Sequence, residues 1–257
     1  MSRLGRVRAE TGAGWRSFVR RRTAVFFTFF FPVILIVIFG ALVRTDPGDG
    51  GLFAESAAFY VPGYLAVVVL FTPLSRMGSE VARHREGNRF EKLATTPLSR
   101  GEWVLAQTVV NAVIIGLASV LILGLVVLLT GADIVFSPFL IPYVLVGVVC
   151  FCGIGAMLGS YTGSQDGAIA ASNAIALPLL FLSETFITVE QLPGWFGPFV
   201  DLSPLTYFAR GVRAVSYPPA ETQAVAGVDP AVANLAILTA IAVVTFALGA
   251  RSIPQTD

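Results

Sequence analysis

The sequence predicts an all-α membrane protein, a single domain over residues 1–257 with six transmembrane helices. Three observations predict it. Hydrophobic residues fill 55% of the 257 positions and charged residues only 13%, about half the charged share of a soluble domain. Apolar runs of about 20 residues, the length that crosses a bilayer as a helix, recur along the chain. In lipid such runs must satisfy their backbone groups internally, which selects helices. Charge is instead gathered into a few places, most densely from Ser79 to Trp103.

Residues 1–22 carry seven arginines and the single acid Glu10. Leu4, Val7, Thr11, Trp15, Phe18 and Val19 recur every three to four positions, as on an amphipathic helix lying at a membrane surface. A basic tail is the alternative, supported by Gly5, Gly12 and Gly14; the spacing favours the helix. The six spans follow at 23–43, 57–75, 104–129, 138–161, 166–189 and 230–250. Pro32 and Pro178 lie inside the first and fifth, and Pro62 and Pro73 near the ends of the second. A polar turn begins at Asp46. Gly155, Gly159 and Gly163 form a doubled small-residue ridge, which lets helices approach closely in lipid. Packing within the subunit is the preferred reading, ahead of a dimer face.

Two connections stand out. The island 79–103 must lie in water and is too short to be a domain. The stretch from Glu184 to Asp229 is apolar (Trp195, Phe196, Phe199, Tyr207, Phe208) yet broken by Pro193, Pro198 and Pro204. Ser203-Pro204 reads as a cap followed by a first-turn proline, opening a helix to about Val215. Residues 190–215 are therefore expected to form a helical hairpin that re-enters the outer leaflet. Non-helical backbone at that depth must be shielded by protein or line a cavity, so the hairpin is expected to cap a pathway.

Six spans put both termini on one side. Fourteen of the 17 basic residues fall in the N-terminal arm, between Arg76 and Arg100, or at Arg251. Positive charge marks the cytoplasmic side, so both termini and the island are expected there, in a multi-pass protein of the cell (plasma or inner) membrane.

Several chemistries are excluded or disfavoured. Phosphate binding by a P-loop needs a lysine after a glycine-rich loop, and the only lysine, Lys92, follows Glu91. If ATP drives this protein, another subunit binds it. No metal site is expected: His84 is alone, and Cys150 and Cys152 point in different directions on a helix. A net charge of +1 gives no case for nucleic acid. No span interior assembles a nucleophile with a base, so an enzyme is disfavoured. An ion-coupled secondary transporter normally buries ionisable groups at mid-membrane; here only Asp166 and Glu184 stand near that depth.

Two stretches carry a family resemblance. One is Arg85-Glu86-Gly87, then Glu91, Leu93 and Thr96-Pro97-Leu98-Ser99-Arg100. The other is Ser183, Phe186, Leu192-Pro193-Gly194-Trp195, then Ser203-Pro204-Leu205-Thr206-Tyr207 and Arg213. In this order and these topological slots they resemble the membrane subunit of type 2 ATP-binding cassette exporters, the group with daunorubicin-type drug exporters and polysaccharide exporters. Glu184 stands where that family tends to have Gly, Thr188 where Pro is frequent, and Ser203 where Asn is usual.

The resemblance implies a pairing with a second copy or a homologous permease, surrounded by membrane lipids. It also implies two cytoplasmic ATPase subunits, which hold ATP and Mg; this chain itself binds no cofactor. The island would contain the coupling helix, with Arg85, Glu86, Gly87, Phe90, Glu91, Leu93 and Ala94. Phe90, Leu93 and Ala94 fall at i, i+3 and i+4, an apolar knob inside a charged rim that suits docking on a partner. The resemblance places cargo between spans 2 and 5 of the two subunits, past Phe59, Tyr64, Phe71, Asn173, Leu177, Phe181 and Phe186. These side chains suit a lipophilic or amphipathic substrate such as a drug, lipid or glycan, exported by alternating access. The outer gate would hold Glu184, Pro193, Trp195, Ser203, Pro204 and Tyr207. An ion-coupled secondary transporter and a non-transport membrane assembly protein are the competing functions.

Overall fold

The computed structural model describes residues 2–38, 56–186, 194–217 and 229–253. The end of the first expected span at Val43, the turn from Asp46, the fifth span's end at Val189, Thr188, Leu192 and Pro193 lie outside the described residues. Within them the chain is helical throughout: α1 (Arg3–Arg20), α2 (Arg22–Ile36), α3 (Val61–Glu86), α4 (Arg89–Ala94), α5 (Arg100–Thr130), α6 (Leu140–Tyr161), α7 (Gln165–Phe181), α8 (Gly197–Leu202), α9 (Pro204–Ser216) and α10 (Pro230–Ser252). Four helices are long and apolar enough to cross a membrane: α3 with its leading 3-10 turn from Ala57, α5, α6 and α10. α2 is apolar but shorter. The 17 residues of α7 reach about 26 Å at 1.5 Å per residue.

α3 is the axis of the bundle. Its sequence from Val61 to Leu70 is apolar on all sides except Tyr64, and every one of those residues is buried, as expected for a helix with no polar face. α6 lies along it, brought close by glycines. A Cβ at Gly155 would sit 2.6 Å from the Leu74 carbonyl, and Gly159 meets Gly78 and Val81. The small-residue ridge is thus used inside the chain, while Gly163 has no neighbour within 4 Å. On its other side α6 meets α10 through Gly153 and Gly249. Both cysteines of α6 are buried, as apolar packing residues.

The arm does form an amphipathic helix, capped by Ser2 on Gly5 N. Its inner face is covered by protein. Arg6 meets Glu102, Glu10 accepts from Gln107, Gly14 lies against Val110, and Phe18 packs with Val110 and Ile114. These pairs advance together, so α1 runs beside the first turns of α5 in the same direction. Burial raises the pKa of Glu10 above the usual carboxylate range, partly offset by the Gln107 contact.

The start of the island departs from the watery loop its charge density predicts, whereas residues 86–89 and 94–97 are exposed. α3 continues through Glu86, with Met77 to Ala82 all buried. The chain turns at Gly87 and at Asn88, whose φ of 49° is left-handed. α5 begins at Arg100 rather than Val104, because Ser99 and Glu102 close a reciprocal capping box. The fifth span also stops early as a helix, at Phe181, where the chain bends toward a left-handed Glu184 (φ 54°). α8 and α9 make the expected pair of short helices. Phe208 of α9 packs against Gly147, seven residues inside α6 or about 10 Å along it.

The bundle therefore has two ends. One carries α1, α4 and the α6–α7 turn and is called the arm end; the other carries α8 and α9 and is called the hairpin end.

Candidate functional site

Between α2, α3 and α7 lies a cleft of about 870 Å³. Ligand pockets commonly measure roughly 300–1,000 Å³. Its upper walls are apolar: Phe27 and Phe31 from α2, Val67, Val68 and Phe71 from α3, Ile169 and Leu177 from α7. Asn173, Thr28 and Thr72 supply scattered polar points. Its lower part, at the arm end, is lined by Arg20, Arg21, Arg22, Arg76, Glu80 and Gln165.

Of the seven residues expected along a cargo path, Phe71, Asn173 and Leu177 line this cleft. Three others gather under the hairpin. Phe59 stacks edge-on with Tyr217 and takes the Arg213 guanidinium 4.1 Å over its ring, and Tyr64 meets Phe186. Phe59 and Tyr64 are buried there and shape the roof of the bundle rather than a cavity wall. Phe181 is 52% exposed and outside the cleft.

Glu184 closes the hairpin end. Its carboxylate accepts from Arg210 Nε at 2.6 Å and Nη2 at 3.0 Å, and its carbonyl accepts from Arg213 at 2.7 Å. Asp201 accepts from the same Arg210 at 2.8 Å. The hydrogen-bonded Glu184 carboxylate raises the Arg210 pKa further above its already high value. The left-handed backbone at Glu184 also explains why Gly suits this position, since only Gly adopts it freely. Ser203 caps α9 by its extended backbone but not by its side chain, which shares a 2.6 Å hydrogen bond with Ser183. Pro204 takes the first helical position. Tyr207 donates to the Asp201 carbonyl at 2.7 Å, and Trp195 is largely exposed.

At the arm end the expected apolar knob is not formed. Phe90 is 4% exposed and turned inward, between the rings of His84 and Trp103. Burying an aromatic ring inside the chain outweighs presenting it to solvent. His84 is correspondingly no solvated loop residue: its Nδ1 donates to the Glu80 carbonyl at 2.8 Å. α4 leaves Glu91, Lys92 and Ala94 exposed, with Leu93 half-buried. Arg85 donates to the carbonyls of Ser160 (2.5 Å) and Thr162 (3.2 Å), and Glu86 accepts from Gln165 N at 3.0 Å. The Arg-Glu-Gly motif thus ties the end of α3 to the α6–α7 turn, and Gly87 caps α3.

The sequence reading missed Glu80. It is buried and holds Arg21 at 3.3 Å and Arg83. The spacing of Glu80, Arg83 and His84 at i, i+3 and i+4 was the available signal of a continuing helix. Arg21 joins α1 to α2, so this pair fastens the arm to α3.

The family of ABC-2 type transporters matches residues 6–217. The chain belongs to that family. It is a membrane protein of the ABC-2 group, all-helical over its described residues. Among its relatives is a daunorubicin resistance ABC transporter permease from Streptomyces coeruleorubidus, 28% identical over 196 residues, covering 72% of this chain and 66% of that protein. A probable doxorubicin resistance ABC transporter permease from Mycobacterium tuberculosis is 24% identical over 204 residues, 77% of this chain and 70% of the relative. The chain thus spans about two thirds of the length of these relatives. In the ABC-2 family the membrane subunit works with a separate ATP-binding subunit.

Proposed function

We propose that this chain is the transmembrane subunit of an ATP-driven exporter, moving a lipophilic or amphipathic substrate outward by alternating access. The observation that carries the reading is the cleft: an ABC-2 chain holds, beside its central helix, a space of ligand size with apolar walls and a charged mouth. α2 and α7 are read as the remaining two of six crossings. The concentration of arginine at the arm end favours the cytoplasm for that end and for both termini. The hairpin of α8 and α9 then re-enters the outer leaflet, since Phe208 reaches Gly147 inside α6.

The partner is a pair of cytoplasmic ATPase subunits carrying ATP and Mg, and the working unit contains a second copy or a homologous chain. α4 is the contact with the ATPase, through Glu91, Lys92 and Ala94, with Leu93 at its edge. Phe90 serves as the root of that helix. Force on α4 passes through Phe90 and His84 to α3, through Trp103 to α5, and through Arg85 and Glu86 to α6 and α7. One small helix therefore moves the walls of the cleft together.

The test is double. A chain with Glu91→Ala and Lys92→Asp is expected to insert and fold but to lose co-purification with its ATPase. Uptake of a fluorescent lipophilic dye into inverted vesicles is expected to need ATP and that ATPase. Unchanged co-purification would sink the α4 assignment. Uptake that persists without ATP and collapses with a proton uncoupler would make the chain an ion-coupled transporter.

A further inference from the structure

We infer that the cleft selects an amphipath with an anionic headgroup, bound head-down among the arm-end arginines. This rests on the exporter reading only for what happens after binding. The mouth of the cleft is lined by Arg20, Arg21, Arg22 and Arg76, and among the described residues Glu80 is the only carboxylate lining it. Glu80 is already engaged by Arg21 and by Arg83. Arg20, Arg22 and Arg76 make no ion pair among the described residues. Arg76 is the telling one. It projects from the central helix, its Nη2 donates to Gln107 at 3.3 Å and its guanidinium stands 5.9 Å over the Phe18 ring. Its Nη1 is closed off from water with no hydrogen-bond partner. A guanidinium shielded from water, whose neighbouring Glu80 carboxylate is already held by Arg21 and Arg83, is costly unless something anionic completes it.

The apolar walls above the mouth supply the other half of the recognition. From Val67 to Glu80 the lining of α3 covers 14 residues, about 20 Å along the axis, enough for a long acyl tail above a headgroup. Guanidinium forks match phosphate or carboxylate oxygens two at a time. A cationic head would meet several like charges and one occupied carboxylate, an arrangement that acts as a barrier. Headgroup charge therefore sets the specificity, and the tail is read only as apolar bulk.

The chemistry fits both a lipid resident in the cleft and a lipid carried through it. The test uses the full chain, or the complex in which it purifies, in nanodiscs. Phosphatidylglycerol, phosphatidylcholine and a cationic lipid of equal chain length are offered together, and bound lipid is counted by native mass spectrometry. Phosphatidylglycerol is expected in at least about tenfold excess over the cationic lipid, a preference worth one decade of affinity. Arg22→Gln with Arg76→Gln is expected to remove most of that preference. Arg22→Gln alone, at an exposed position, is expected to reduce it should the double variant fail to fold. Arg3→Gln with Arg8→Gln, on the arm but outside the cleft, is expected to leave it intact. Asn173→Trp, which fills the cleft without changing charge, is expected to displace the lipid. Equal binding of the three lipids, or a preference that survives both Asn173→Trp and Arg22→Gln, would overturn the inference. With the ATPase and ATP present, headgroup-labelled phosphatidylglycerol crossing to the opposite leaflet identifies a carried lipid, and its staying bound identifies a resident one. Loss of ATP-driven transport with selective binding retained would count against the exporter reading and leave this site standing.

Discussion

The two ends of the bundle are both closed by arginine contacts to carboxylates and backbone carbonyls, yet they are wired differently. At the arm end the contacts are long-range: Arg6–Glu102, Arg85–Thr162 and Arg100–Ile253 join residues 96, 77 and 153 positions apart. At the hairpin end Arg210 reaches Glu184 and Asp201, only 26 and 9 positions away. An end stitched across the chain transmits displacement between helices, because no helix there slides without breaking a contact to another. The Arg210 latch can rearrange locally, although Arg213 over Phe59 and Ser56 on Tyr217 also tie this end across the chain. On the proposed function, force transmission belongs to the arm end and gating to the hairpin end.

The harshest way to break it is to attack the seam common to both ends. Gly155→Leu drives a side chain into the Leu74 and Pro73 carbonyls, 2.6 and 3.1 Å from a Cβ there. A cost of about 3 kcal/mol is expected from such overpacking. Cys150 and Cys152 are buried, so a thiol-reactive dye reports melting directly. An unchanged midpoint would mean that α3 and α6 are not in close contact.

Glu80→Gln tests the arm end. It leaves Arg21 and Arg83 without their shared carboxylate and is expected to cost about 2 kcal/mol, as for a lost charged hydrogen bond. The dye-detected midpoint should fall, and cysteines introduced on α1 should become reactive well below it. A fall in midpoint without that early reactivity would mean that the pair stabilises α3 alone and does not fasten the arm.

The finest test separates charge from backbone at the hairpin end. Glu184→Ala loses the Arg210 contact but keeps a left-handed residue with a Cβ. Glu184→Gly loses the contact and relieves the backbone, a difference of about 1 kcal/mol in favour of Gly. Glu184→Gly is thus expected to melt above Glu184→Ala. Equal midpoints would show that the left-handed corner is abandoned once the latch is cut.

The membrane character of the chain was legible because lipid imposes a crude rule: some 20 apolar residues without interruption. The proline opening α9 follows an equally local rule, although Ser203 gives its hydroxyl to Ser183 rather than to the helix; the capping box at Ser99 was as local but was not read. What was not legible depends on tertiary partners. Charge density from Ser79 onward read as water, whereas Glu80 and Arg83 are accommodated by pairing inside a continuing helix. The spacing of Phe90, Leu93 and Ala94 located a face but not what covers it, because Trp103 and His84 arrive from other turns of the chain. Phe71, Asn173 and Leu177 were named in advance and do line the cleft. The arginines beside them were counted only as markers of sidedness. Their convergence requires α1, α2 and α3 to meet, which no local pattern announces.

The inward tuck of Phe90 has an evolutionary consequence. The residue that roots α4 in the bundle is distinct from the residues that α4 shows to the outside. Glu91, Lys92 and Ala94 are free to change without disturbing the aromatic socket beneath them. On the proposed docking of α4, a duplicated copy of such a gene acquires a new motor by rewriting three exposed positions, while the bundle and its cleft are inherited unchanged.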